Sequence, residues 1–189
     1  GNSSFDRRHR LAGFYLFDLP FGANRRWLSN GGISAALLGG WQLSGTVSVQ
    51  SGPYFEVTVP QPTRLGITQG NINWRADLIG DPRVPQPGAD GWLNRAAFAE
   101  PKTDDKFRYG NLGRNSLVGP GFFNFDAGLA RDFLIDEKRR LQLRWEVFNV
   151  MNHPSYGLPN SVLGSEDFGT IRSTFSTPRQ MQFGVKLVF

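Results

Sequence analysis

PRQMQFGVKLVF, residues 178–189, closes the chain on a strict alternation. Met181, Phe183, Val185, Leu187 and Phe189 are apolar, and between them stand Gln180, Gln182, Gly184, Lys186 and Val188. Period two is the signature of a β-strand, whose successive side chains point to opposite faces. The same pattern recurs upstream. Leu141, Leu143, Trp145 and Val147 alternate with Arg140, Gln142, Arg144 and Glu146. Phe123, Phe125, Ala127 and Leu129 alternate with Asn124, Asp126, Gly128 and Ala130. Trp41, Leu43, Gly45, Val47 and Val49 alternate with Gln42, Ser44, Thr46, Ser48 and Gln50. A softer version sets Leu11, Gly13, Tyr15, Phe17 and Leu19 against Arg10, Ala12, Phe14, Leu16 and Asp18.

These segments predict five strands near 8–20, 40–52, 122–135, 139–152 and 178–189. Each is about 10 to 13 residues long, enough for a tilted strand to cross a bilayer. Strands of soluble proteins run nearer about 5 or 6 residues. Aromatic residues near the strand ends (Phe17, Trp41, Phe123, Phe133, Phe189) suit the two interfacial girdles of a membrane barrel. Helical spacing is not sustained anywhere, and no apolar run approaches the roughly 18 residues of a membrane helix. The expected fold is therefore all-β, an antiparallel transmembrane β-barrel fragment.

The connections give that sheet a direction. Residues 136–139 form a tight charged turn, 21–40 are longer and broken by Gly and Asn, and 154–177 are rich in Gly, Ser and Pro. Residues 53–121 form a very long loop holding eight of the twelve prolines. Outer-membrane barrels turn tightly on the periplasmic side and carry long loops outside. If Phe189 ends at the periplasmic side, 154–177 and 53–121 are extracellular, and 136–139 and 21–40 are periplasmic. Five strands cannot close a barrel, for which about eight are the practical minimum. An open edge cannot face lipid with its N–H and C=O groups unpaired. Partner strands are accordingly expected upstream of Gly1.

Composition excludes several alternatives. There is no Cys, so disulfide frameworks and thiolate metal sites are out. The net charge of +5 rests on Arg, with four Lys among 21 basic residues. Those residues sit in short clusters, not in a stripe interleaved with aromatics, and no nucleic-acid partner is expected. His9 and His153 are far apart, and no His, Asp or Glu set has metal spacing. Asp104 with Asp105, and Glu166 with Asp167, read as solvated loop charge before they read as calcium ligands. There is no G-x-S-x-G elbow, and the Gly-rich 110–121 stretch lacks the Lys-Ser/Thr of a phosphate loop. No enzyme activity and no cofactor are expected.

Several stretches taken together resemble the C-terminal end of TonB-dependent outer-membrane receptors, in particular the Oar-like group with a carboxypeptidase-regulatory-like domain. They are DRRHRLAGFYLFDLPFG (6–22), GGWQLSGTVSVQSGPYF (39–55), YGNLGRNSLVGPGFFNFDAGLARDF (109–133), LRWEVFNVMNHPSYG (143–157), FGTIRST (168–174) and PRQMQFGVKLVF (178–189). They cover most of the chain in the family's order. The resemblance implies a barrel of about 22 strands, of which these are the last five. It also implies uptake of a scarce ligand (a siderophore, cobalamin or an oligosaccharide), driven by the TonB complex through an N-terminal plug that would lie upstream. A passive porin or adhesin barrel is the alternative reading, and a soluble all-β carbohydrate-binding module the next.

Candidate functional residues follow from the alternation. Arg10, Asp18, Asp126, Arg144, Glu146 and Lys186 fall on the predicted lumen face, where a hydrated interior spares them the cost of lipid. Trp74, Arg75, Trp92, Phe107, Arg108 and Tyr109 in the long loop, with Phe98, are read first as packing the loop on itself and second as a ligand-catching surface. Asn111, Gly113, Arg114, Asn115, Gly119, Pro120 and Gly121 are read as a turn leading back into the barrel. Arg7 and Arg8 begin the first strand, either as a solvated end or as partners of lipopolysaccharide phosphates. Phe183, Val185, Leu187 and Phe189 resemble the signal read by the barrel-assembly machinery, for which an unpaired strand edge is a template. Expected surroundings are outer-membrane lipid and lipopolysaccharide in the bacterial outer membrane.

Overall fold

The computed structural model describes residues 1–22, 25–30, 32–60, 74–101 and 109–189. The chain divides into two compact units. The first comprises residues 1–9, 50–122 and 155–175; the second comprises 10–49, 123–154 and 176–189.

The second unit is built on long antiparallel strands. In chain order these are β1 (Arg10–Asp18), β2 (Trp41–Gln50), β11 (Phe122–Leu134), β12 (Arg140–Phe148) and β13 (Gln180–Val188), with a short helix α1 (Ile33–Leu38) between the first two. They form one five-stranded sheet in the order β1-β2-β11-β12-β13. The strands are 9, 10, 13, 9 and 9 residues long, each at least the roughly 9 residues that span a bilayer at a tilt. Every neighbour in the sheet is also the next long strand in sequence, the up-and-down connectivity of membrane barrels. β1 and β13 are its two edges, and the sheet is open.

Register places the apolar rows side by side. Leu129 lies opposite Trp145, Arg131 opposite Leu143 and Phe133 opposite Leu141. Trp145 in turn lies opposite Phe183, Leu143 opposite Val185 and Leu141 opposite Leu187. At the other side of the sheet the Leu19 N–H donates to Trp41 O at 2.8 Å, and Gly13 lies against Val47. Tyr15 crosses Gly45, where a Cβ would collide with its ring, and its hydroxyl donates to Asp126 O at 3.3 Å. The ring stacks on Phe125 at 5.9 Å. A glycine there lets a tyrosine on the apolar face satisfy its one polar group.

Turn chemistry is legible at both ends. Between β11 and β12 the Asp136 carboxylate accepts from the Lys138 and Arg139 N–H groups at 2.9 and 2.8 Å, closing a tight Asx turn. After β12, Asn149 and Asn152 both have φ 50, a left-handed conformation that Asn tolerates better than most residues. Asn149 Nδ2 donates to His153 O and Thr177 O, and its Oδ1 accepts from the His153 N–H at 3.0 Å. Asn152 Oδ1 accepts from the Arg179 N–H at 3.0 Å, pinning the entry to β13.

The first unit gives the long loop an internal structure. Residues 53–121 were expected as a long loop, but their described part is largely a set of short ladders around a core. β3 (Tyr54–Phe55) pairs with β10 (Leu117–Val118), β4 (Thr58–Val59) with β5 (Trp74–Arg75), β6 (Asp77–Leu78) with β9 (Phe98–Ala99), and β7 (Arg83–Gly88) with β8 (Gly91–Leu93). Phe55, Val57, Val59, Ala76, Leu93, Ala97, Phe98, Leu112, Leu163 and Phe168 form the buried cluster. Residues 155–175 belong to the same body. The Thr58 N–H donates to Ser161 O, and Leu163 N–H returns to Thr58 O at 2.8 Å. Two-residue strands carry too little period to be seen in sequence, and only Phe55, Val57 and Val59 hint at them.

Candidate functional site

The polar face of the five-stranded sheet carries a chain of side-chain hydrogen bonds from strand to strand. On β1, Asp18 accepts from the Gln42 amide at 2.9 Å and pairs with Arg25 at 3.7 Å. Asp126, on β11, is the richest node. Its Oδ2 accepts from the Thr46 hydroxyl at 3.1 Å and from the Asn124 amide at 2.8 Å. Its Oδ1 accepts from the Asn149 N–H at 2.9 Å, tying the sheet to the turn after β12. Lower on the same strand, Asp132 accepts from the Gln142 amide at 2.8 Å and lies 3.9 Å from Arg140. Glu146 pairs with Arg144 at 2.5 Å and accepts from the Gln182 amide on β13.

Thus Asp18, Asp126, Arg144 and Glu146 all lie on one wet face with Gln, Thr and Asn partners. Arg10 and Lys186 stand on the same rows, exposed, with Lys186 opposite Gln142. Mixed charge and amide groups facing water suit the polar interior of a closed barrel. The opposite face is apolar in every strand, with one exception that the sequence pattern, followed only as far as Leu129, had left out. Arg131 is the only charged side chain on that face among the described residues. Extending the alternation two more residues would have shown it.

The terminal residues occupy an exposed edge. Phe183 stacks nearly parallel on Trp145, with centroids 5.9 Å apart and planes inclined by 4°. Phe183, Val185, Leu187 and Phe189 are all more than half exposed on the apolar face of edge strand β13.

In the first unit, Trp74 stacks on Tyr109 at 5.4 Å and packs against the buried cluster. Trp92 also packs on that cluster and donates from Nε1 to Val118 O at 3.2 Å. Arg75 is half-buried in β5, opposite Thr58. Trp74 and Trp92 therefore serve the unit's own core, and Tyr109 shows 56% of its surface. Phe107 and Arg108, like Asp104 and Asp105, lie outside the described residues. In the turn leading to the barrel, Asn111 accepts from the Leu78 N–H at 2.6 Å and donates to Leu78 O. Asn115 has φ 47 and exchanges hydrogen bonds with Asn2. Arg8 lies over the Tyr54 ring at 5.6 Å.

Two surface pairs shift titration. Arg83 grips Asp81 with two hydrogen bonds, holding the carboxyl well below its usual range, at about 2. Arg172 is raised above its ordinary value by its hydrogen bond to Asp167 at 2.7 Å. Asp167 is thus engaged by a cation, and no group of three or more metal-ligating side chains occurs among the described residues. Nor is any described helix long and apolar enough to cross a membrane, which leaves β-strands untouched as a means of crossing.

No curated protein and no solved structure matches the chain. A family model described as an outer membrane beta barrel domain matches residues 1–182, nearly the whole sequence. That match and the two-faced sheet of membrane-spanning strands agree, and the chain belongs to the outer membrane β-barrel domain family of the bacterial outer membrane.

Proposed function

We propose that this chain is the C-terminal portion of a TonB-dependent receptor, the wall and two outer loops of a barrel that takes up a scarce ligand. The observation that carries this reading is the first unit. Residues 50–122 and 155–175 share one apolar core, so both loops are held as a shaped surface. Recognition gains affinity from such preorganisation, because little ordering entropy remains to be lost on binding. The motif resemblance along the chain supports the same reading. In the accompanying orientation the 136–139 turn and the 21–40 connection face the periplasm. The barrel wall supplies no covalent chemistry; it supplies a wet polar lining through which a ligand and a plug can move, with the TonB complex acting on the plug.

The test is transport by the full-length protein in cells. Uptake of radiolabelled ferric siderophores, cobalamin and maltodextrins is followed with and without a protonophore. A receptor gives saturable uptake of one of these ligands that stops when the proton gradient collapses. Non-saturable, protonophore-insensitive flux of small solutes would replace this reading with the passive porin.

A further inference from the structure

The 21–40 connection does not end as a solvated turn. Two side chains of the apolar face hold its helix. Arg131 donates from Nη1 to Leu37 O at 2.6 Å and from Nη2 to Ala36 O at 2.5 Å. Trp41 donates from Nε1 to Leu37 O at 3.1 Å. These bonds occupy the C-terminal carbonyls of α1, groups a helix cannot satisfy internally. They also fix where α1 lies, because Arg131 and Trp41 belong to the rows that face lipid. The helix is therefore clamped to the lipid side of the sheet, at the end where β11 runs into its tight turn.

What α1 presents outward is apolar. Ile33 is 80% exposed, Leu37 62% and Leu38 55%, and Trp27, against Phe21, is half exposed. From Trp27 to Trp41 there is no charged residue. Cations flank the stretch. Arg131 sits 4.1 Å from the Phe133 centroid and 5.9 Å from Trp41, and Arg26 lies over Trp27 at 5.6 Å. Neither arginine makes an ion pair among the described residues. A crevice of about 460 Å³ opens beside the helix, lined by Arg25, Ala35, Ala36, Gly40, Arg131 and Asp132. The apolar side of α1, with Trp41 and Arg131 against its C-terminal carbonyls, complements a phospholipid surface: acyl chain for the leucines, phosphate for the guanidinium.

We infer that α1 and Trp41 form a lipid-interface anchor, in which α1 beds its Ile33–Leu37–Leu38 side at the acyl boundary and Arg131 engages phospholipid phosphate. The leaflet is the periplasmic one in the orientation proposed above, and the inference rests on the barrel reading. A lone arginine on a lipid-facing row is then explained. It is at once the C-terminal cap of α1 and the counter-charge of the headgroup layer.

The chain has no Cys, which makes single-cysteine labelling direct. The full-length protein, with any further cysteines replaced, is reconstituted in phosphatidylethanolamine–phosphatidylglycerol vesicles. An environment-sensitive fluorophore is placed in turn through Ile33→Cys, Leu37→Cys, Glu137→Cys and Val185→Cys. The labels at 33 and 37 should be quenched by phospholipids spin-labelled high on the acyl chain, as expected for a helix bedded ~5–10 Å into the headgroup boundary. The label at 137, on the tight turn, should respond to aqueous iodide instead. Adding Arg131→Gln should transfer the label at 37 from lipid to iodide quenching, while the label at 185 stays lipid-quenched. If 185 is lipid-quenched but 33 and 37 behave like 137, the anchor is wrong and the barrel stands. If 185 is not lipid-quenched, the barrel reading falls and takes the anchor with it. An Arg131→Gln variant that leaves 37 lipid-quenched removes the arginine from the anchor.

Discussion

Truncating Phe98 tests whether the two outer segments are one folded body. Phe98 is buried in β9 and meets Phe168, from the other segment, edge-to-face at 5.7 Å with planes inclined by 70°. Phe98→Ala removes that contact and leaves a cavity that short ladders collapse only in part. Buried Phe→Ala changes cost about 3 to 5 kcal/mol, of which the ring pair accounts for about 0.5 to 1.5. Each 1.4 kcal/mol is about a factor of ten in population, so about 4 kcal/mol raises the open form of the unit roughly 10³-fold. Limited trypsin digestion of the full-length protein in intact cells reads that population when closing is faster than cleavage. Cleavage after Arg75 and Arg95, both inside folded elements, is followed by mass spectrometry. We expect both sites to be cut about 10² to 10³ times faster in Phe98→Ala, by the same conversion. Phe98→Leu keeps most of the volume and should cost roughly 1.5 kcal/mol or less, with about tenfold faster cutting. The heat-modifiable migration that reports an intact barrel should not change. Equal cleavage rates in wild type and Phe98→Ala would refute the shared core.

Asp126→Ala strips the acceptor from Thr46, Asn124 and the Asn149 N–H. It should cost about 2 to 3 kcal/mol, seen as a lower urea midpoint of the detergent-folded full-length protein, with Asp126→Asn between it and wild type. An unchanged midpoint would mean that water replaces the carboxylate without loss. Deleting Phe189, 92% exposed at the end of edge strand β13, should lower the amount of full-length protein assembled in the outer membrane. Unchanged surface levels would remove it from the assembly signal.

The strand core of this fold was open to inspection because a spanning strand must repeat its pattern across a whole bilayer. Met181 to Phe189 cannot slip register by one residue without turning five apolar side chains into the lumen. Faces, order and turns follow from that constraint. What stayed hidden depends on contacts between residues distant in sequence. α1 has six residues, no side-chain cap and glycines on both flanks, so nothing local announces it. The acceptor network of Asp126 joins residues 23 and 80 positions away, which a single sequence cannot pair. Trp74 and Trp92 read first as packing and second as ligand residues, and both pack against the buried cluster. The same indoles fill a small unit's core, and composition cannot separate the two uses.

The two faces of the sheet are held by different forces, and this bears on what each can evolve. On the polar face the ion pairs are wet: Arg144 and Glu146 show 54% and 26% of their side chains, Arg140 and Asp132 55% and 41%. Pairs so exposed contribute about 0 to 1 kcal/mol each. Removing one leaves the backbone ladders of β11, β12 and β13 intact, because those bonds do not depend on side-chain identity. The apolar face has no such freedom, since a Lys or Arg placed at mid-membrane costs about 2 to 4 kcal/mol. Arg131 escapes that penalty by lying near the strand's turn end, where one donor from each terminal nitrogen caps the Ala36 and Leu37 carbonyls. Away from the Asp126 node, the exposed pairs of the polar face can therefore change at little cost in stability, while the apolar rows stay fixed.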